Sequence, residues 1–348
     1  GATVDVYIND GLALDDFAYT VATNTSLIQA GVDIKIDVAP SNSTSSADAI
    51  FTQTVQFENF KNYIVFAEGI VGNMDTPFRL SVADNKRLNA EDPTKAELLI
   101  HHGSPDAPAI DLGERGVGIV LENLAFSETS DYLSLDARPY LLELLPTGTS
   151  DVFKTYFAGL TGSEGLVATV YATGLVNNSG PQDEFALILV TGGGQSFLLP
   201  EVGFANLSIL HNSPDPAVDV YVDGNLAIEN FEFRQATAPI EFFADQDYEI
   251  GIAPTGGNII YTETINLEQD KNYLAAAEGV VGNADTPFGL NIVPDFRLES
   301  VNPSTVDIIA LHGSPDAPEV DVLANGGSFI EDIAYGDNSG YLSVAPAT

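Results

Sequence analysis

Apolar and polar residues alternate along many short segments of the chain, most clearly at 3–8, 217–222 and 247–252. Because successive side chains of a β-strand point to opposite faces, this period of two predicts strands with one buried face. Gly, Pro and Asn punctuate the segments, for example at 223–225 and 254–257. No segment carries a sustained helical stripe. The pattern therefore predicts an all-β fold of sandwich domains.

A seven-residue phrase recurs along the chain. His-Gly-Ser-Pro-Asp-Ala-Pro occupies 102–108 and 312–318, and the variant His-Asn-Ser-Pro-Asp-Pro occupies 211–216. Each copy follows one apolar segment and precedes another. Self-similarity of this kind indicates an array of small domains.

A second set of repeats gives a longer period. Residues 63–80 recur 210 residues later at 273–290, and residues 122–136 resemble 331–344 at an offset of about 209. Two types of domain therefore alternate. The predicted domains are a first-type sandwich at 1–94 that lacks its opening strand, a second-type sandwich at 95–203, a first-type sandwich at 204–304 and a partial second-type domain at 305–348.

The two ends of the array have two open explanations. Residues 2–7 match 216–221, which places the first residue just past an expected opening strand. Either the chain is a piece of a longer tandem polypeptide, or neighbouring subunits complete each other by strand exchange. The contact residues predicted for exchange are Val4, Val6 and Ile8 in the receiving strand and Ile308, Ile309 and Leu311 in the donated strand.

Charge and composition narrow the function further. The chain has 12 Lys and Arg residues against 50 Asp and Glu residues, for a net charge of −38. This balance excludes nonspecific nucleic-acid binding and argues against anionic membrane surfaces. Carboxylates spread along the chain favour solubility and offer ligands to divalent cations. We therefore expect removal of divalent cations to loosen the assembly. The absence of Cys excludes disulfides and thiol chemistry, and no apolar run is long enough for membrane insertion.

The repeated motifs resemble the secreted bacterial and archaeal domain of unknown function 4397. The resemblance is carried by Ser-Pro-Asp-Ala-Pro-x-Val-Asp-Val at 314–322 and Val-Asp-Val-Tyr-Val-Asp-Gly at 218–224. It covers nearly the whole chain, although the second-type domain departs from the pattern at 111–115. The resemblance implies secreted, tandem, immunoglobulin-like β-sandwich domains of envelope or surface proteins. It implies no catalytic residues.

The histidines of the recurring phrase are candidates for a metal site or a structural turn. Each is followed four residues later by an aspartate, in the pairs His102 and Asp106, His211 and Asp215, and His312 and Asp316. A metal site needs at least three convergent ligands, and each domain offers one matched histidine because His101 has no counterpart. We predict a turn in which Pro fixes φ, Asp caps N–H groups and His bonds across.

A repeated acidic loop is the candidate calcium site. Its ligands would be Asn73 and Asp75 in one copy and Asn283 and Asp285 in the other, because hard oxygen atoms suit calcium. The spacing does not match an EF-hand, and an ordinary Asx turn is the alternative. No other cofactor is expected.

A matched lysine and glutamate pair suggests a further alternative. Lys61 and Lys271 each stand seven residues before a glutamate, Glu68 and Glu278, in an apolar strand. An intramolecular Lys–Asn cross-link beside a buried acid would use such residues, but here the lysines look like turn residues entering a strand. A buried glutamate in such a strand would need a partner.

The sequence favours a structural protein over an enzyme. There is no Gly-x-Ser-x-Gly elbow, no Cys, and no Lys-Ser/Thr after the glycines at 192–194. We expect an extracellular or cell-surface protein that forms a stalk, fibre or filament, with identical subunits as partners in a homopolymer. The alternative is a surface adhesin or a module that binds a glycan or a partner protein.

Overall fold

A computed structural model of the protein describes residues 3–84, 86–177, 184–214 and 216–346. Nearly every element in these residues is a β-strand, and the one helical element among them is a 3₁₀ turn at Ser46–Asp48. The chain forms two compact units, 1–202 and 203–348. The all-β prediction is confirmed, whereas the finer boundaries near residues 95 and 305 stay predictions.

The first part of unit 1 contains a four-stranded antiparallel sheet in the order β2-β1-β3-β4 and a β5-β6 pair. The strands are β1 (Val4–Ile8), β2 (Gly11–Phe17), β3 (Asp33–Pro40), β4 (Phe51–Gln56), β5 (Ile64–Glu68) and β6 (Arg79–Ala83). Their shared core is small. Its buried members are Ile34, Ile36, Phe57 and Leu80.

The second part of unit 1 is a sandwich of two sheets, ordered β10-β7-β13-β14-β15 and β12-β11-β8-β9. The strands are β7 (Lys95–His102), β8 (Ile110–Glu114), β9 (Gly118–Leu124), β10 (Thr129–Asp136), β11 (Pro139–Pro146), β12 (Lys154–Gly159), β13 (Val167–Thr173), β14 (Ala186–Thr191) and β15 (Ser196–Leu198). Leu98 and Val170 of one sheet share a core with Leu112 and Leu144 of the other. That shared core is what makes the two sheets a sandwich.

Unit 2 opens with a similar sandwich, ordered β19-β16-β22-β23 and β18-β17-β20-β21. The strands are β16 (Phe204–His211), β17 (Val218–Val222), β18 (Asn225–Phe231), β19 (Ile240–Phe243), β20 (Asp247–Pro254), β21 (Tyr261–Asn266), β22 (Asn272–Glu278) and β23 (Gly289–Val293). Two strand pairs follow, β24 (Val306–Ile308) with β27 (Leu342–Val344) and β25 (Val320–Ala324) with β26 (Gly327–Ile333).

The predicted receiving strand is wrong. Val4, Val6 and Ile8 lie in β1, which is already paired with β2 on one side and β3 on the other. In unit 2 the strand that leads into the recurring phrase is β16. It pairs in parallel with β22, in the sheet that faces the one containing β17. Since β5 corresponds to β22, the open edge belongs to β5, which pairs only with β6 within the described residues. Sequence alone did not reveal which sheet the opening strand joins.

The predicted donor residues lie in and just after β24. Ile308 pairs with Leu342 of β27, and Leu311 forms an isolated bridge with Asn338. β7, the counterpart of β24, is flanked by β10 and β13. By comparison, the second edge of β24 has no strand beside it in the part of the chain that the structure describes.

Candidate functional site

Each histidine of the recurring phrase closes a turn. The Nε2 atom donates to the carbonyl oxygen of the proline that ends the phrase, and each ring is buried. The pairs are His102 with Pro108 at 2.9 Å, His211 with Pro216 at 3.0 Å, and His312 with Pro318 at 2.9 Å. Burial lowers the pKa of His102. The histidine rings therefore stabilise the turns by bonding across them.

The serine of the phrase links the opening strand to a glycine. Ser104 donates to the carbonyl of Gly174, and Ser213 donates to the carbonyl of Gly279, both at 2.7 Å. Gly279 has a φ of 80°, and a side-chain carbon there would lie 2.2 Å from the Pro287 carbonyl oxygen. Only glycine fits such a position. This explains why the sequence Ala-x-Gly recurs at 67–69, 172–174 and 277–279.

The aspartates of the phrase differ in their surroundings. Asp106 accepts the backbone N–H groups of Val176 and Asn177, each at 2.9 Å, so it fastens a loop that is distant in sequence. Asp316 is exposed. Asp215 lies outside the described residues.

A different aspartate, in the Val-Asp-Val motif, has the same role in every copy. Its carboxylate accepts a backbone N–H group from a residue with positive φ at the bulge of the following hairpin. The pairs are Asp5 with Asp16 (3.0 Å), Asp111 with Asn123 (2.7 Å), Asp219 with Asn230 (2.9 Å) and Asp321 with Asp332 (2.9 Å). Asp219 also accepts from the Gly256 amide at 2.9 Å. The recurrence of Asp at this position was the available signal, which the sequence analysis missed.

One such aspartate lies in an acidic group. Ligand atoms of Asp5, Asp15 and Asp16 all lie within 4.8 Å of one another. Both oxygens of Asp5 are engaged, one by the Asp16 amide and the other by the Ser43 hydroxyl at 2.5 Å. These hydrogen bonds, that of Ser43 first, lower the pKa of Asp5. The hairpin bulge, which places Asp16 against Asp5, therefore accounts for the closeness of these carboxylates.

The candidate calcium loops form Asx turns. Asn73 Oδ1 accepts the amides of Asp75 at 2.8 Å and Thr76 at 3.0 Å. Asn283 accepts in the same way from Asp285 and Thr286. The amide oxygens are thus engaged with backbone, and both aspartates are exposed.

The matched lysines lie at the surface in ion pairs. Lys61 Nζ is 2.9 Å from Asp84, and Lys271 Nζ is 2.5 Å from Asp295. Neither lysine contacts the glutamate seven residues on, which leaves the cross-link reading without geometric support.

Three residues fasten the segment between the two parts of unit 1, and we call Arg87, Glu97 and Tyr132 the first clamp. Arg87 Nη1 lies 2.8 Å from Glu97 Oε2, and its guanidinium carbon lies 4.5 Å from the centre of the Tyr132 ring. The Arg87 amide donates to the Tyr132 hydroxyl at 2.8 Å. Burial opposes ionisation of Glu97, but Arg87 and the Glu91 amide hold its pKa below the ordinary value.

The second clamp, Arg297, Asp307 and Tyr341, repeats this geometry in unit 2. Arg297 Nη1 lies 2.8 Å from Asp307 Oδ2 and its guanidinium carbon lies 4.4 Å from the Tyr341 ring centre. The Arg297 amide donates to the Tyr341 hydroxyl at 2.6 Å. Hydrogen bonds from Ser343 and Val301, with Arg297, lower the pKa of Asp307 to about 2.

Unit 1 also contains a buried carboxylate, Glu68, to which three side chains donate hydrogen bonds. Glu68 is 3% exposed at the end of β5. It accepts from His101 Nε2 at 2.8 Å, from Arg79 Nε at 2.9 Å and from the Ser127 hydroxyl. Burial raises the pKa of Glu68, but these donors outweigh it and leave the pKa below the ordinary value. The His101 ring also stacks on Phe66 with centroids 3.7 Å apart.

The corresponding carboxylate in unit 2 has none of those donors. Glu278 is 5% exposed, and its Oε1 atom has no hydrogen-bond partner among the described residues. A 3.5 Å contact from Asn291 reaches its other oxygen. Burial raises the pKa of Glu278. The three donor positions of unit 1 correspond to Leu311, Gly289 and Gly336.

The family can now be stated from the comparison with known families. The model of the Domain of unknown function (DUF4397) matches residues 1–113, 205–318 and 306–348. The chain belongs to this family. The DUF4397 matches contain all three copies of the recurring phrase and leave out 114–204, which includes most of the divergent second-type domain. This confirms the expected membership.

Two further results bound the interpretation. No curated protein matches the chain. Among the described residues, no helix has the length and apolar character needed to cross a bilayer.

Proposed function

We propose that the protein is an extracellular or cell-surface structural protein, without catalytic activity, whose β-sandwich domains form a stalk, fibre or filament. Identical subunits would meet head to tail. The observation that carries the proposal is the recurrence of the clamp, whose three distances agree within 0.2 Å between units. A regularly repeated joint between domains suits an array that extends in one dimension.

Strand exchange would join subunits through the open edges of β5 and β24. β5 corresponds to β22, and β24 corresponds to β16. Parallel pairing of β24 from one subunit with β5 of the next would therefore reproduce the observed pairing of β16 with β22. Such a contact is heterologous and does not close on itself, so it propagates as a filament. Main-chain bonds would supply the affinity.

The backbone of Val65 offers a selective test of the β5 edge. In β22, the carbonyls of Lys271 and Ala277 accept amides from β16 and the residue that follows it. The backbone N–H and C=O groups of residue 275 point to the same side of β22 as those of Lys271 and Ala277. Val65 is the equivalent of residue 275 in β5. Val65→Pro removes an amide on the free edge, whereas Val65→Thr keeps it.

Sedimentation velocity over a range of protein concentrations separates the outcomes. Wild type and Val65→Thr are expected to assemble, and Val65→Pro is expected to stay as single subunits. Equal assembly of all three would exclude the β5 edge. Single subunits for wild type at every concentration would instead favour the surface-binding module.

A further inference from the structure

The burial of Glu278 depends on the segment 305–346, which covers the end of β22. A side-chain carbon at Gly313 would lie 3.1 Å from Glu278 Oε1. Asn291, which contacts Glu278, donates to the Gly336 carbonyl at 2.8 Å. The carboxylate is thus enclosed by the contact between 204–296 and 305–346, which we call the second joint.

Of the groups that face Glu278, His312 can carry a positive charge, and it lowers the pKa of Glu278 by less than burial raises it. From β23 the neighbour is the neutral Asn291. From the covering segment the titratable neighbours are His312 and Tyr335. The His312 ring is held within its own turn, since Nε2 donates to the Pro318 carbonyl and Nδ1 lies 3.4 Å from the Ser314 amide nitrogen. Within the described residues, no Lys or Arg is paired with Glu278.

A buried carboxylate without a counter-charge is more stable when it is protonated. Glu68 in unit 1 avoids this condition because Arg79, His101 and Ser127 all donate to it. The same position of the fold therefore holds an ionised group in one unit and a group that favours its proton in the other.

We propose that the second joint is proton-linked, so that the segment 305–346 docks on β22 with Glu278 protonated and is released when Glu278 ionises. The sign follows from the direction of the shift. Docking is favoured most below the ordinary glutamate value and weakens as the pH rises through the raised value. Across that window the docking constant falls by about tenfold for each pH unit.

Hydrogen exchange of the full chain tests the proposal directly. Amides of β24 and β27 report docking, and their protection factors are compared at pH 5 and pH 8 after correction for intrinsic exchange. In the wild type we expect protection to fall by about tenfold or more, since one pKa unit corresponds to tenfold. In Glu278→Gln, which cannot ionise, we expect protection to be independent of pH.

A second variant keeps the proposal testable if Glu278→Gln misfolds. Gly289→Arg combined with Leu311→His introduces two of the donor types found beside Glu68, and a side-chain carbon at residue 289 would lie 3.8 Å from the nearest atom, the Tyr261 hydroxyl oxygen. We expect this variant to keep its protection at pH 8. Parallel loss of protection in wild type and either variant would overturn the proposal.

Discussion

The contact between the two parts of unit 1, which we call the first joint, and the second joint in unit 2 have the same clamp but differ around the buried carboxylate. Arg87, Glu97 and Tyr132 recur as Arg297, Asp307 and Tyr341 with nearly the same distances. The buried carboxylate also recurs, but every donor to Glu68 is replaced around Glu278. The comparison teaches that the clamp fixes how the segments meet, while the buried carboxylate sets the conditions under which the contact holds.

Removal of the clamp arginine is expected to have the largest effect. Arg87→Ala leaves Glu97, which is 2% exposed, without its cation. We expect a loss of about 2–3 kcal/mol in the free energy of unfolding of unit 1, because one partner of a buried pair is left unpaired. Arg297→Ala should destabilise unit 2 in the same direction.

Urea unfolding measures both effects, and Lys61→Ala is the matched control. Among the described residues Lys61 pairs with the exposed Glu58 and Asp84, so its loss should change the free energy of unfolding little. If Arg87→Ala and Lys61→Ala were indistinguishable, the clamp would not hold the joint.

Neutralising the two buried carboxylates should give different results. At pH 7, Glu68→Gln should lower the stability of unit 1 by about 2 kcal/mol, because the amide cannot pair with Arg79. Glu278→Gln should leave unit 2 unchanged or more stable, because no counter-charge is lost. Thermal unfolding of both variants decides the question, and equal losses would end the distinction between the joints.

The sequence predicted the strands and turns better than the joints. The alternation at 217–222 and 247–252 corresponds to β17 and β20, since period two depends only on local geometry. The phrase predicted turns, and the histidines do bond across them.

The contact between Glu68 and His101 could not be predicted, although both residues were noticed. They are 33 residues apart and meet only because β5 and β7 end at the same place. An unmatched histidine and a glutamate in an apolar strand were the available clues. The sheet that receives the opening strand was missed because apolar alternation does not identify a strand's neighbours.

The hydrogen bond from the hairpin bulge to the aspartate of the Val-Asp-Val motif occurs in both units and can be tested by mutation. Asp219→Ala removes the acceptor for the Asn230 and Gly256 amides. We expect a loss of about 1–2 kcal/mol from two backbone donors left without a partner. Chemical unfolding of Asp285→Ala, an exposed turn residue, provides the control. A loss no larger than that of the control would show that the bulge holds without Asp219.

The smallest effect that we predict is a loss of stability of the second clamp in acid. The pKa of Asp307 is lowered to about 2, so its contribution is present above the ordinary value of 3.8 and is lost as the pH falls towards 2. Together with Glu278, this predicts that β24 is most protected in weak acid and less protected on either side. Hydrogen exchange between pH 2 and pH 8 measures the profile, and Asp307→Asn should remove its acidic limb. Protection that rose steadily towards pH 2 would contradict the assignment.

Electron microscopy of the purified protein tests the structural role most directly. Micrographs at micromolar concentration, in weak acid where both joints are expected to hold, should show unbranched filaments with a regular axial repeat of one subunit. Uniform single particles under the same conditions, at every concentration examined, would contradict the account.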